Sequence, residues 1–293
     1  MNRAHHPPAR PAPSCAHSPS ASVPRSWYFV ARSRDLAGAG ARHESVVADR
    51  LLELQRGGDG ALRGRLGGAP VELHEQGSLI YAWLGGGRPS FELQPVGEQG
   101  WTPMKLFFLD LPTRPEQVMR DLADLEHFAA VHRYVDIEVE QGLRCEGAVC
   151  STSIAFGWDT GIAGRSFAAK FSSRAEGLGR QRTEVESLGG LLRSRHLVMP
   201  TPRLGSTTRV WAGYSVEYGR GPKALRELVA RSLAAYLGWA FRRDLGRDAQ
   251  LWTGASAYQP ADSEVLRRFG DWTQQFMPRL GSAEEGSVAW RSS

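Results

Sequence analysis

Alternating apolar and polar residues dominate the second half of the chain. Six stretches show this pattern, and glycines or other turn residues separate them: 134–140, 148–157, 166–174, 181–187, 191–199 and 207–217. A side-chain period of two is typical of half-buried strands, and short turns between them favour antiparallel pairing. The second half is therefore predicted to form an antiparallel meander.

A helical period follows the meander. From Pro222 to about residue 252, apolar side chains recur every three or four positions, which predicts one long helix. These side chains are Leu225, Leu228, Val229, Leu233, Tyr236, Leu237 and Ala240. A curved sheet wrapped on a long C-terminal helix is an α+β helix-grip fold (START/Bet v1-like). Such a fold encloses an apolar cavity, where small-molecule sites tend to lie.

Shorter elements are predicted in the first half. Strand-like runs occupy 27–31, 46–55, 78–84 and 104–109. Pro112 and Pro115 then open a helical stretch through about residue 132, with Glu116 in its first turn. The predicted organisation is a β segment at 27–100 and the helix-grip domain at 101–280. A Pro/Ala/Ser-rich disordered tail at 1–26 precedes them, and a flexible tail at 281–293 follows.

Composition narrows the function classes. The chain has 293 residues, of which 41% are hydrophobic, enough for a sizeable core, and no run approaches 18 apolar residues. The formal charge is +5, but the first 26 residues carry three arginines and no acid, which leaves +2 for the rest. No basic patch exceeds short pairs such as Arg242-Arg243. A membrane span and a nucleic-acid interface are therefore not expected.

Three cysteines, Cys15, Cys145 and Cys150, give no disulfide framework. Cys145 and Cys150 flank a short predicted turn and could face each other. In the cytoplasmic enzyme that we expect, free thiols are the favoured interpretation.

The candidate chemistry lies in Asp124-x-x-His127-x-x-x-x-His132 and in Asp248, far downstream. Two histidines and one carboxylate can hold one face of a non-haem Fe(II) and leave positions open for O2. Five positions on a regular helix separate side chains by about 140°. His127 and His132 can therefore converge only if the helix ends, or becomes irregular, between them.

Other interpretations of these residues stay open. The histidines could be two half-buried side chains without a metal, and Asp124 could simply favour the helix dipole. Asp244, one turn before Asp248, is a rival carboxylate, although Arg243 and Arg247 beside it favour a surface ion pair. His196 is interpreted as an exposed or packed residue.

The histidine motif resembles the mononuclear iron motif of Rieske-type non-haem iron oxygenases, in their catalytic (alpha) subunits. Asp248 matches that family's late aspartate ligand within Leu245-Gly-Arg-Asp248-Ala-Gln-Leu-Trp252, and Arg268-Phe-Gly-Asp-Trp272 resembles a closing motif. Glu176-Gly-Leu-Gly179 and Pro200-Thr-Pro202 are similar to landmarks of the ketosteroid hydroxylase and cholesterol desaturase branch. The resemblance spans roughly residues 24 to 277. It implies that His127, His132 and Asp248 bind iron.

The chain departs from this family in one respect. A Rieske [2Fe-2S] centre needs two cysteines and two histidines, which the family supplies as Cys-x-His and Cys-x-x-His. The front segment at 27–100 contains no cysteine and therefore neither motif. It runs from Asp59-Gly60 almost directly to Pro70-Val71, so the stretch that should carry the cluster is missing. The sequence therefore predicts a truncated Rieske-like segment without a cluster.

Three hypotheses follow from the resemblance. In the first, the chain is a mononuclear Fe(II) oxygenase component that hydroxylates, demethylates or desaturates an apolar molecule. Its electrons come from a separate Rieske protein, or a cluster-bearing paralogue, and a reductase. Asp124 then orients His127 and links it to the donor, within a trimer or hetero-hexamer. The alternatives are a non-catalytic companion subunit and a metal-free helix-grip ligand-binding protein.

Overall fold

Three antiparallel sheets and four α-helices make up the computed structural model, which describes residues 23–159, 166–218 and 223–278. The strands are β1 (Trp27–Arg32), β2 (Arg42–Val47), β3 (Arg50–Arg56), β4 (Leu62–Leu66), β5 (Ala69–Pro70), β6 (Leu73–Gln76), β7 (Leu79–Trp83), β8 (Lys105–Leu111), β9 (Val135–Glu146), β10 (Val149–Asp159), β11 (Ser166–Glu176), β12 (Arg180–Ser187), β13 (Leu192–Pro202) and β14 (Thr208–Val216). The helices are α1 (Pro115–Met119), α2 (Glu126–Ala130), α3 (Lys223–Trp252) and α4 (Glu264–Gln274).

The central sheet has seven strands in the order β8-β14-β13-β12-β11-β10-β9. Six consecutive strands, β9 to β14, each pair with their neighbour in the chain, so the predicted meander is confirmed. The strand β8 joins the far edge by pairing with β14. Because successive side chains of a strand alternate between faces, one face of each strand can point towards α3 and the other towards the N-terminal sheets.

The long helix α3 lies across this sheet, as the recurrence of apolar residues predicted. Its buried residues Ala234, Leu237 and Leu245 share a core with Val210 and Ala212 of β14. Gly238 has no Cβ, and a Cβ there would collide with the hydroxyl group of Tyr214. A glycine therefore lets the helix approach β14 closely.

The N-terminal part contains two small sheets, β1-β7-β6 and β2-β3-β4-β5. The single strand predicted at 46–55 was wrong, since β2 and β3 form a hairpin over this stretch. Ala48 and Asp49 make the turn at φ values of 51° and 61°. Apolar residues on both sides of these two hide the turn in the sequence, and neither is the glycine or asparagine that usually marks one.

The N-terminal part packs directly on the back of the central sheet. A Cβ at Gly179 would meet the carbonyl oxygen of Trp27 in β1. Arg180, only 1% exposed, pairs with Glu176 and donates to the carbonyl oxygen of Gln94. The landmark Glu176-Gly-Leu-Gly179 therefore lies where the N-terminal part packs on the central sheet.

Cys145 and Cys150 stand directly opposite each other at the β9–β10 turn and form a disulfide. The preference for free thiols was therefore wrong, because the hairpin brings the two side chains to one face of paired strands.

The two predicted tails lie largely outside the described residues, which begin at 23 and end at 278. Residues 23–26 pack on the domain, and Ser26 is fully buried. Among the helices that are described, none is long and apolar enough to cross a membrane.

Candidate metal centre

The segment between β8 and β9 is a broken helix. The continuous helix predicted through residue 132 was wrong. After α1 comes a 3-10 turn at Arg120–Leu122, and α2 covers only Glu126–Ala130. The chain leaves α2 between the two histidines, and Arg133 adopts a φ of 62°. The break that convergence of His127 and His132 requires is therefore present.

The three residues expected as ligands come together. His127, His132 and Asp248 each offer one ligand atom, and these atoms lie within 4.8 Å of one another. Both histidines are buried, and α3 brings Asp248 to them from 116 positions beyond His132. The helix α2, the loop after it and the C-terminal turns of α3 thus build one compact cluster.

A backbone contact fixes the orientation of His127. Its Nδ1 meets the backbone carbonyl oxygen of Asp124. Because a carbonyl can only accept a hydrogen bond, Nδ1 carries the proton and Nε2 is left with a free lone pair. Burial lowers the pKa of His127, which favours the neutral imidazole that a metal requires. The backbone of Asp124, not its carboxylate, therefore orients the ring.

His132 faces two carboxylates. Its Nε2 lies 2.8 Å from Oδ1 of Asp248, and its Nδ1 lies 3.9 Å from Oδ1 of Asp244. Burial alone would lower the pKa of His132, but the charge of Asp248 and the proximity of Asp244 raise it to about 10. Asp244 also pairs with Arg243 and Arg247, as expected, yet it borders the cavity.

The cluster fits a metal ion. Oδ1 of Asp248 is buried and faces Nε2 of His132 at 2.8 Å, whereas Nδ1 of His132 has no hydrogen-bond partner among the described residues. A buried carboxylate is costly unless a proton or a cation satisfies its charge. Two imidazoles and one carboxylate form the donor set that non-haem iron prefers. The geometry and the chemistry of these residues therefore agree with one metal site.

Two further residues reach the centre from the C-terminal part. The hydroxyl group of Tyr258 donates to Oδ1 of Asp124 at 2.8 Å, and Oδ2 of this buried carboxylate has no partner in the described structure. The indole Nε1 of Trp252 donates to Oδ2 of Asp121 at 2.7 Å. Burial and the charge of Asp248 raise the pKa of Asp121 well above its usual value.

Neither Tyr258 nor Asp121 stands in a sequence motif that predicts a place at this site. Both contacts join residues more than 130 positions apart, so no local pattern marks them.

An apolar cavity of about 150 Å³ begins at His127, His132 and Asp248 (the metal cluster) and runs between α3 and the central sheet. Its apolar lining includes Phe128, Phe156, Phe171, Leu237 and Phe241. The sheet contributes a row of polar side chains, namely Gln181, Thr183, Ser187, Ser194 and His196. The cavity therefore offers an apolar molecule a few defined hydrogen-bonding positions.

His196 is packed, as one of the two interpretations from the sequence had it, and it also lies at the cavity wall. Its ring borders the cavity, shares a 3.0 Å hydrogen bond between Nε2 and the hydroxyl group of Ser194, and meets Phe241 edge-on at 4.5 Å. Burial lowers its pKa to about 4. The imidazole is therefore uncharged at neutral pH.

Trp158 of β10 lines this cavity, whereas three other large aromatic residues of β14 and α3 do not. Tyr214 packs in the core, Trp211 contacts Phe29 and Phe108 on the back of the sheet, and Trp239 is largely exposed.

One protein family matches this chain over most of its length. The family model of the 3-ketosteroid 9alpha-hydroxylase C-terminal domain matches residues 84–277, about two thirds of the chain and every residue of the metal cluster. The chain belongs to this family. It is a catalytic domain of the Rieske-type oxygenases, which are oxidoreductases that incorporate oxygen from O2.

Solved structures of Rieske oxygenases share the fold of this 3-ketosteroid 9alpha-hydroxylase-type domain. Dicamba monooxygenase bound to dicamba superposes with a TM-score of 0.65 at 14% identity, covering 87% of this chain and 98% of that one. A Pseudomonas putida CBB5 NdmA mutant with caffeine gives 0.54 at 13% identity, with 86% and 89% covered. The quaternary ammonium monooxygenase CntA gives 0.51 at 10% identity, with 87% and 89% covered. No curated protein matches the chain by sequence.

Proposed function

We propose that this hydroxylase-family domain is a mononuclear non-haem Fe(II) oxygenase component. The observation that carries the proposal is the convergence of His127, His132 and Asp248 within 4.8 Å at the end of an apolar cavity. Bound Fe(II) would supply the site for reducing O2 and oxidising an organic substrate. The hydrogen bond from Nδ1 of His127 to a carbonyl keeps Nε2 available, and Asp248 supplies the negative charge.

Electrons are proposed to come from another protein. The sequence holds only Cys15, Cys145 and Cys150, and the latter two are joined in the β9–β10 hairpin. Residues 27–100 therefore form a truncated Rieske-like segment without the thiolates that a [2Fe-2S] cluster needs. The donor would be a separate Rieske protein, or a cluster-bearing oxygenase paralogue, together with a reductase. A trimer or hetero-hexamer would bring donor and acceptor together.

Asp124 is the proposed entry point for these electrons. Its backbone holds His127, and its buried carboxylate has one oxygen occupied by Tyr258 and one unpaired among the described residues. A hydrogen-bond donor from a docked Rieske protein would satisfy the second oxygen. The short path from carboxylate to backbone to imidazole then connects the donor to the metal ligand.

The proposed substrate is an apolar organic molecule with a neutral hydrogen-bonding group, which the enzyme hydroxylates, demethylates or desaturates. Aromatic and aliphatic side chains form most of the cavity and exclude water from the substrate. His196 is uncharged at neutral pH and carries a polar edge towards the cavity. It therefore suits a carbonyl or hydroxyl group better than an anion. The family name, which refers to a 3-ketosteroid, is consistent with this chemistry.

Metal analysis tests the proposal. The full chain, purified without oxygen and supplied with Fe(II), should hold about one iron and no acid-labile sulfide. The variants His127→Ala and Asp248→Ala should lose the iron. His43→Ala, a histidine on β2 in the N-terminal sheets, is the matched control and should retain it.

Two outcomes would contradict the proposal. Absence of iron after reconstitution would leave a companion subunit or a metal-free ligand-binding protein. Labile sulfide at two per chain would place a cluster in this protein and remove the need for a separate donor.

A further inference from the structure

An exposed apolar rim surrounds the end of the cavity that lies away from the metal cluster. Trp158, Ser187 and Leu192 line the cavity where β10, β12 and β13 meet this end of the sheet. Phe167 is the cross-strand partner of Trp158 and is 44% exposed. Leu188 and Leu191, in the turn between β12 and β13, are 48% and 86% exposed. Large apolar side chains are thus presented to solvent where the cavity ends.

The first half of α3 continues this rim. Tyr236 packs beside Trp158 with ring centroids 6.0 Å apart, and Trp239 lies next to Tyr236. Leu228 and Val229 extend the surface towards the helix start and are 64% and 54% exposed. At about 100° per residue, these four helical side chains fall within an arc of roughly 100°. They form one apolar stripe on the outer side of the helix.

Positive charge flanks the stripe. Between residues 226 and 243, α3 carries Arg226, Arg231, Arg242 and Arg243, and Glu227 is the only acid before Asp244. Arg226 and Arg231 have no carboxylate within ion-pair distance in the described part of the chain, whereas Arg243 is paired with Asp244. The helical positions place Arg231 and Arg242 on one side of the stripe and Arg226 on the other.

We propose that this rim, formed by Phe167, Leu188, Leu191 and the outer stripe of α3, docks on an anionic lipid surface. Helices that lie on membranes combine leucine and tryptophan on one side with arginine beside them. Tryptophan and tyrosine prefer the interface between headgroups and hydrocarbon. Juxtaposed arginines add electrostatic attraction to anionic lipids. The charge of the flanks therefore favours a bilayer over a second copy of this equally basic surface.

Docking at this rim would let a substrate enter the cavity from the bilayer, and this part of the inference rests on the proposed function. The rim surrounds the end of a cavity that leads to the metal cluster along about three turns of α3, from Leu237 to Asp248. An apolar substrate dissolved in the bilayer would enter the cavity without crossing water. The docking itself needs no iron, so its test is independent of the metal site.

Vesicle flotation tests the proposal with the full chain. The wild-type protein should float with vesicles of equal parts phosphatidylcholine and phosphatidylglycerol, and less with phosphatidylcholine alone. High salt should weaken the binding, because it screens the arginines. Leu191→Glu combined with Trp239→Glu should lower the partition coefficient about tenfold or more, since two apolar anchors are lost. Arg226→Glu combined with Arg231→Glu should also lower the partition coefficient about tenfold or more, because the attraction to anionic lipid is lost.

Matched controls come from the other parts of the surface. Leu204→Glu is the control for the apolar variants, since Leu204 is 67% exposed in the turn at the opposite end of β13. Arg63→Glu is the control for the arginine variants, since Arg63 is exposed on β4. Both should float like the wild type. All substituted side chains are exposed, and unchanged thermal unfolding midpoints would show that the variants fold.

Three results would overturn the proposal. The wild type could fail to float with either vesicle. The controls could lose binding as strongly as the rim variants. Finally, sedimentation could show that the wild type self-associates and does not float. If the double variant Leu191→Glu with Trp239→Glu were then a monomer, the rim would be an interface between copies.

Discussion

Nε2 of His132 lies 2.8 Å from Oδ1 of Asp248, and the two side chains are 4% and 14% exposed. In the metal-free protein this contact is an ion pair, because the pKa of His132 is raised to about 10. A metal ligand must be the neutral imidazole, so binding of iron to His132 displaces a proton. The ion pair therefore competes with the metal for the same two side chains.

Iron affinity should consequently rise with pH. One proton released per metal corresponds to about a tenfold gain in apparent affinity per pH unit below pH 10. Anaerobic Fe(II) titrations at pH 6.5, 7.5 and 8.5 measure this slope. The metal-free protein should show the opposite trend, since a folded pKa above the ordinary 6.5 stabilises the fold at low pH. That stability is lost as pH rises from 6.5 towards 10. An affinity that does not change with pH would contradict a protonated His132.

The two carboxylates near His132 should behave differently. Asp248→Ala should abolish iron binding, because it removes a ligand. Asp244→Ala should retain about one iron and bind it roughly 10–100-fold more weakly, which is the usual effect of losing a residue that supports a ligand. Asp244 faces Nδ1 of His132 at 3.9 Å and can orient the ring once Nε2 is engaged. Iron content and equilibrium titration measure both variants, and the reverse order of effects would make Asp244 the ligand.

Tyr258→Phe should separate electron delivery from metal binding. The change removes the 2.8 Å hydrogen bond to Asp124 but leaves its backbone contact with His127. Iron content should stay at one per chain, and stability should fall by about 1–2 kcal/mol. Reoxidation of a reduced Rieske donor should slow, because the carboxylate is no longer held in one orientation.

Peroxide-driven turnover, which needs no donor, provides the second measurement for Tyr258→Phe and should be unchanged. Tyr28→Phe, which removes a buried hydrogen bond to the carbonyl oxygen of Pro24 in the N-terminal part, is the control for donor reoxidation. Equal loss of both activities in Tyr258→Phe would show a general disturbance of the site instead of a role in electron delivery.

Periodicity predicted most of the fold because the elements that form it are long. The strands β9 to β14 alternate over eight to twelve residues, and α3 repeats its apolar positions over thirty. The pattern was ambiguous where elements are short. The β2–β3 hairpin turns at Ala48-Asp49 between apolar residues, so the sequence suggested one strand. The helix at 115–132 contains no glycine or interior proline to mark its breaks.

The convergence of His127, His132 and Asp248 was predicted from one motif and one distant match, whereas the residues that contact this group were not predicted. His127 and His132 share a short segment whose spacing requires a helix break. Tyr258 and Asp121 act through contacts between distant parts of the chain, which a single sequence does not encode locally. The cysteine pair was misjudged because the turn geometry of the β9–β10 hairpin decides whether two side chains face each other.

His196 should make the fold acid-sensitive in a defined window. Burial lowers its pKa from 6.5 to about 4, so the unfolded chain binds this proton more readily than the folded chain. Stability should therefore fall as pH drops from 6.5 towards 4, by about 1–2 kcal/mol at pH 5. His196→Gln keeps a polar side chain that does not titrate, and it should remove this part of the acid sensitivity. Urea unfolding of both proteins at pH 7.5 and 5.0 measures the difference. An identical loss of stability in the two proteins would show that His196 is charged in the cavity, and the preference for a neutral substrate group would lose its support.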